Sequence, residues 1–199
     1  MNTHFRPPEM TRTTQAAEGL QRRRWSLAEI EAMVEAGILL EDDRFELIGG
    51  EVVPMSPKGN RHELIKAALN RYWSKRLLDG VCLITETTLR VGGDTFHEPD
   101  FVFYREADGL AKLSPATVLI AVEIADSSLH FDLHRKVPLY AGYGIRETWV
   151  IDANTLETHV NRHPGSSGYG EVFVNPAGLE IAPLFAPELA VRLSDLKLV

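Results

Sequence analysis

The chain has little cysteine, a deficit of positive charge and no long apolar run, and each shortage removes a class of function. Its one cysteine, Cys82, excludes an intramolecular disulfide and any multi-cysteine zinc site. Cys82 lies in the apolar run Val81-Cys82-Leu83-Ile84, so it reads as core rather than as a nucleophile. Lys plus Arg number 21 against 28 Asp plus Glu, a net charge of -7. That balance argues against passive, non-specific DNA binding, although bound divalent ions and a local basic patch can offset acids at a site. No segment approaches the roughly 20 apolar residues of a membrane span, and the polar opening Met1 to Gln15 does not read as a signal peptide. A cytoplasmic protein with no membrane partner is expected. There is no Gly-x-Ser-x-Gly elbow and no Gly-x-x-x-x-Gly-Lys-Ser/Thr phosphate loop, which argues against a serine hydrolase and against ATP-driven action.

What is present suffices for one core: 199 residues, 44% of them hydrophobic. Residues 1–21, with Pro7-Pro8 and little periodicity, read as a flexible arm, and residues 22–199 as a single domain. The run Arg22-Arg23-Arg24 reads as a solvated flank that could touch phosphate. Ser26 and Glu29 make a capping box for a helix over Leu27 to Ala36, stopped by Gly37. Gly49-Gly50 between Phe45–Ile48 and Glu51–Met55 predicts a hairpin. Asn60 and Glu63 suggest a second capping box for a helix that ends by Gly80, with Leu64, Ile65, Ala68, Leu69, Tyr72 and Trp73 along one stripe.

Strands are expected at Val81–Thr85, Thr88–Val91, Pro99–Tyr104, Val118–Ile124 and Ile145–Asp152. A return strand over Leu156–Arg162 and a short strand over Glu171–Val174 follow, with a mixed tail from Leu179 closing the core. A helix over about Ser128 to Ala141 joins two apolar strands as a β-α-β element. The fold class is therefore α/β, a mixed sheet flanked by helices.

The chemistry is carried by acids set in apolar strands. Asp100 opens one strand, and Glu123 stands near the end of Val118-Leu119-Ile120-Ala121-Val122-Glu123-Ile124. A carboxylate there is costly unless paired or bound to metal. Two carboxylates on neighbouring strands, with a cation nearby, suit metal-dependent attack on a phosphodiester. Lys136 can supply the cation. A third acid would come from Glu46 or Glu51, both of which also read as polar-face residues. His62, on the first turn of the long helix, reads either as a surface histidine or as a ligand or water-orienting group at the site. Asp132, Lys136 and Tyr140 stack on one helical face, either as a surface salt bridge or as the device that holds Lys136 toward the sheet. Pro138 interrupts that helix, so it bends at the lysine or begins later.

Taken in order, these motifs resemble the Uma2 (DUF820) family of restriction-endonuclease-like proteins, within the PD-(D/E)XK nuclease superfamily. The resemblance rests on Phe45 to Pro57, His62, Glu98-Pro99-Asp100, Val122-Glu123-Ile124, Asp132, Lys136, Tyr140 and Gly144 to Asp152, spread over about residues 25–195. It implies a restriction endonuclease-like core and a Mg²⁺-dependent endonuclease site, with Mn²⁺ as substitute. It implies nucleic acid, expected to be DNA, as substrate, and a homodimer. Asp100 would be the aspartate of the PD motif and Glu123 the acid of (D/E)XK, with Glu51 as a further metal ligand. Ala125 stands where the usual lysine would be, and the lysine of similar proteins points here to Lys136. Asp126 departs from the family's Ser-Pro-Ser pattern and adds charge near the site. The alternative function is a non-catalytic nucleic-acid- or protein-binding scaffold on a nuclease-like fold.

Overall fold

The computed structural model describes residues 23–40 and 43–199. The expected arm over residues 1–21 lies outside the described residues. Helix α1 (Leu27–Glu35) starts from the predicted capping box: Glu29 N–H donates to Ser26 Oγ, and Ser26 N–H donates to the Glu29 carboxylate. It buries Ile30 against Leu47 and Phe96. The hairpin β1 (Phe45–Ile48) and β2 (Glu51–Pro54) turns at Gly49-Gly50, both at positive φ, where only glycine is unstrained. With β4 (Leu89–Gly92) and β5 (Thr95–His97) it forms a four-stranded sheet in the order β2-β1-β5-β4.

The larger sheet contains β3 (Val81–Thr85), β6 (Phe101–Arg105), β7 (Val118–Ala125), β8 (Glu147–Asp152), β9 (Thr158–Gly165) and β10 (Gly168–Asn175). Its order is β10-β9-β8-β7-β6-β3. Only β7 and β8 run parallel, because a helical crossover joins them; the other neighbours are antiparallel. The result is a mixed α/β fold with helices flanking a multi-stranded sheet.

Both faces of this sheet are covered, so β7 is buried along its whole length and is apolar at every position but Glu123. Helix α2 (Asn60–Ser74) packs Ile65, Leu69 and Trp73 against Phe101, Phe103 and Trp149 on one face. The Trp73 ring meets Phe101 and Phe103 edge-on at 5.2 and 5.3 Å. Truncating it to alanine would cost about 3–5 kcal/mol. A small ribbon of β11 (Glu180–Ile181) and β12 (Val191–Arg192) closes the same core. The crossover covers the other face, where Tyr140 packs on Val102 and Ala121. Among the described residues no helix is long and apolar enough to cross a membrane.

Three sequence expectations need correction. Asn60 does not cap α2; Gly59 occupies the N-cap and offers no side-chain bond. A Cβ at Gly59 would meet the Asp126 carboxylate, so a larger residue here requires the Asp126 side chain to move. The helix expected over about Ser128 to Ala141 forms as one unbroken helical run over residues 129–142, but it is not α-helical throughout. It divides into α3 (Leu129–Phe131), a π turn (Asp132–Lys136) and α4 (Val137–Gly142). Pro138 has no N–H to donate and directly follows the π turn, which accommodates its ring within the helix. The Val137 N–H instead reaches back five residues to Asp132 O, widening the preceding turn. Strand β10 is eight residues long, because it pairs with β9 along its whole length.

Candidate metal and nucleic-acid site

At one end of the large sheet a cleft of about 450 Å³ gathers acids and lysines from five parts of the chain. The β6–β7 register pairs Phe101 with Val122, which sets Asp100 across from Glu123. Alternation along β7 sends Val122 and Ile124 into the α2 core and Glu123 toward the crossover. Asp100 and Glu123 are both buried, at 3% and 4% exposure.

The Asp100 carboxylate has three polar contacts. Its Oδ2 accepts from the Ile124 N–H at 2.8 Å and faces His62 Nε2 at 3.0 Å. Its Oδ1 accepts from Lys58 Nζ at 2.8 Å. Lys58 also pairs with Glu86. Burial pushes the Asp100 carboxyl up, but the His62 and Lys58 contacts outweigh it and hold the group at about 2.

Glu123 has fewer partners. Its Oε1 accepts from Tyr140 Oη at 2.7 Å and lies 3.3 Å from Lys136 Nζ. Burial pushes its carboxyl up to about 8; Lys136 opposes that, and the neighbouring Asp132, Asp100 and Glu46 reinforce it. Lys136 shares its charge with Glu46 at 2.9 Å and Asp132 at 3.8 Å. Desolvation acts to lower the Lys136 pKa, but Glu123, Glu46 and Asp132 raise it well above the usual lysine value.

Glu46 also accepts from the Glu98 N–H at 3.1 Å. Burial pushes the Glu46 carboxyl up, but His97 and Lys136 hold it at about 2. Lys136 is the closer partner. His97 Nδ1 lies 3.5 Å from Glu46, long for a hydrogen bond, and neither of its buried ring nitrogens has a partner among the described residues.

The structure brings Glu46, His62, Asp100, Glu123 and Lys136 to one cleft. It does not bring Glu51 there. Glu51 pairs with Ile48 beside the hairpin turn, is exposed, and does not line the cleft. Glu46 stands two residues farther along the shared face, opposite Val53, and reaches Lys136. His62 is buried rather than on the surface. Sequence reasoning missed Lys58, whose only signal was its place between Pro57 and Gly59 in the loop before α2. It also missed Glu86 as the carboxylate linking Lys58 to Lys66.

The Uma2 family model, described as "Putative restriction endonuclease", matches residues 28–194. The chain belongs to the Uma2 family. Among solved structures it is similar to a protein of Anabaena variabilis ATCC 29413, described as "a putative nuclease belonging to DUF820". The two share 19% sequence identity with a TM-score of 0.63, over 85% of this chain and 96% of the other. That likeness speaks for the fold. No curated protein matches the chain.

The donor chemistry of the Uma2 cleft suits a hard cation, because Asp100 and Glu123 offer carboxylate oxygens on facing strands. Among the described residues no three or more His, Cys, Asp or Glu side chains converge as a metal cage. Mg²⁺ commonly binds through one or two carboxylates, with water and phosphate completing its shell, so a two-carboxylate set fits that ion.

Proposed function

We infer that this protein is a Mg²⁺-dependent endonuclease that hydrolyses nucleic-acid phosphodiesters, with DNA as substrate, on a PD-(D/E)XK core. The observation that carries this reading is the pair Asp100 and Glu123, facing each other across β6 and β7 with Lys136 reaching in from the π turn. Asp100 and Glu123 would hold the Mg²⁺, or Mn²⁺ in its place. When bound, such an ion lowers the pKa of its water and offsets charge on the phosphate.

The other residues then have definable tasks. Lys136 supplies a permanent positive charge beside the scissile phosphate, and Glu46 holds its ammonium in place. Lys58 and His62 orient the Asp100 carboxylate, and Lys58 lies at the cleft wall where a backbone phosphate would pass. Tyr140 fixes Glu123 through its hydroxyl. This reading takes residues 22–199 as a single cytoplasmic domain, and takes cutting of both strands to need two copies, one active site for each strand.

A second reading also has a specific observation behind it. Lys136 and Lys58 already engage oxygens that a metal would use, which suits a nucleic-acid- or protein-binding scaffold that keeps the fold without the chemistry. Nicking of supercoiled plasmid in Mg²⁺ by wild-type protein and Asp100→Ala separates the two readings. The nuclease reading expects nicking that disappears in the variant; equal rates would sink it. Calorimetry with Mn²⁺ provides the companion test. Heat that vanishes in Glu123→Ala supports the metal site, and no heat from the wild type supports the scaffold.

A further inference from the structure

A second cavity, of about 620 Å³, opens at the opposite end of the large sheet. It lies at the start of β7 and β8 and the end of β6, whereas the acid cleft lies at the other ends of β6 and β7. Leu119 in this cavity and Glu123 in the cleft are four residues apart on one strand, roughly 13 Å. The two sites are therefore on opposite rims of one sheet.

Two arginines and a histidine from three strand ends line the second cavity. Arg105 closes β6, Arg146 precedes β8, and His163 stands near the end of β9. The order β9-β8-β7-β6 sets Arg105 and Arg146 on either side of β7, about 10 Å apart at the backbone. Long arginine side chains can converge across that gap over Leu119. In a chain of net charge -7, neither arginine has an ion-pair partner among the described residues. The buried carboxylate nearby, Glu147, is already engaged by Arg162 at 2.8 Å, by Trp149 Nε1 at 2.8 Å and by the Leu184 N–H at 2.7 Å. It leaves Arg105 and Arg146 free for an external anion.

Two further features set the chemistry. Leu119, the exposed Leu184 and the half-buried Phe185 give the cavity an apolar wall. His163 is held at φ 59°, a backbone conformation that residues with a Cβ rarely adopt, and its N–H donates to Arg146 O at 3.3 Å. Local strain of this kind recurs where a side chain is held for binding. The cavity volume is within the range of small-molecule sites, about 300–1,000 Å³.

We propose that this cavity is a second ligand site, for a small phosphate-bearing molecule with a flat apolar body, of the class of a nucleoside monophosphate. Arg105 and Arg146 take the phosphate as a guanidinium pair suited to bidentate contact, and the flat body lies on Leu119, Leu184 and Phe185. The proposal stands independently of the nuclease reading, because it uses no residue of the acid cleft.

Calorimetry on the full chain without divalent metal tests it, using adenosine 5′-monophosphate, adenosine and inorganic phosphate as separate probes. The expected result is a dissociation constant of about 1 mM or tighter for the nucleotide, with both fragments weaker. Arg105→Gln/Arg146→Gln should weaken the nucleotide by at least about tenfold, while Lys58→Met in the acid cleft leaves it unchanged. Adenosine binding as tightly as the nucleotide would overturn the role of the arginines. Phosphate binding as tightly would overturn the role of the apolar wall. Binding lost in the Lys58 variant but kept in the arginine variant would assign the nucleotide to the acid cleft and end the proposal, as would no heat at all. Methyl NMR supplies a second readout: the proposal requires nucleotide-dependent shifts at Leu119 and Leu184, and their absence overturns it.

Discussion

Asp100 and Glu123 face each other across adjacent strands, both nearly fully buried, yet their carboxyls move in opposite directions. Asp100 is held at about 2 and Glu123 is pushed up to about 8. Burial is common to both, so partners make the difference. Asp100 receives a backbone N–H, a histidine and a lysine that it shares with the exposed Glu86. Glu123 receives a phenol and part of a lysine that Glu46 and Asp132 also claim. A buried carboxylate stays ionised when enough donors converge on it, and takes up a proton when it must share one cation with other acids. Around Lys136 the charge is shared: Glu46 is held low, whereas burial pushes both Glu123 and Asp132 up.

The sharpest way to break this contrast is to remove the shared cation. Lys136→Met leaves Glu46, Glu123 and Asp132 in the interior without it. Urea unfolding should show a loss of about 3–5 kcal/mol, far more than any exposed lysine would cost. A loss under about 1 kcal/mol would mean that the cluster is wetter and less coupled than its burial implies.

Next in size is the comparison of amides. Asp100→Asn keeps shape but offers an amide N–H₂ where donors already point, so a loss of about 2–3 kcal/mol at pH 7 is expected. Glu123→Gln should cost under about 1 kcal/mol at pH 7, because the wild-type carboxyl is then mostly protonated. The pH dependence has a definite sign. Glu123 has a folded value above its ordinary 4.5, so its contribution is full below pH 4.5 and is lost as pH rises to about 8. Asp100 and Glu46 have folded values of about 2, below their ordinary 3.8 and 4.5, so theirs is full above that range and is lost as pH falls toward 2. Stability from these groups therefore peaks near pH 4–5. In unfolding curves from pH 4 to 9, Glu123→Gln should flatten the decline toward pH 8 and leave the acid limb intact. A decline unchanged in that variant would assign it to another group.

The smallest expected effect belongs to the glutamate outside the cleft. Glu51→Gln should change stability by less than about 0.5 kcal/mol and leave Mn²⁺ heats unaltered, whereas Glu46→Gln should disturb both. Equal effects of the two variants would mean that the hairpin rearranges when metal binds.

Local signals made much of the fold legible. Ser26 with Glu29, the glycine pair at 49–50 and the apolar run ending in Glu123 each act within a few residues, and each element formed as read. The same sequence could not separate Glu46 from Glu51. Both lie on one face of the hairpin, and only the docking of that hairpin onto the π turn puts one of them within reach of Lys136. Lys58 and His62 carried no local mark of their task. Their contacts with Asp100 span 42 and 38 residues and exist only once α2 lies against β6 and β7.

Pro138 shows where the boundary between sequence and structure lies. By itself it determined that the crossover helix would depart from regular α geometry, since a ring without an N–H removes one backbone bond and crowds the preceding turn. Whether the chain would bend, start later or widen was decided by packing. The chain widens, and Asp132, Lys136, Val137 and Tyr140 are all buried against the sheet. The alternation of strand residues likewise determined that Glu123 would turn away from Ile124, toward whatever covered the opposite face. Tertiary structure decided what was there: one lysine, two other acids and a phenol. A carboxylate's charge depends on neighbours brought from distant parts of the chain, and local sequence carries no record of their distance.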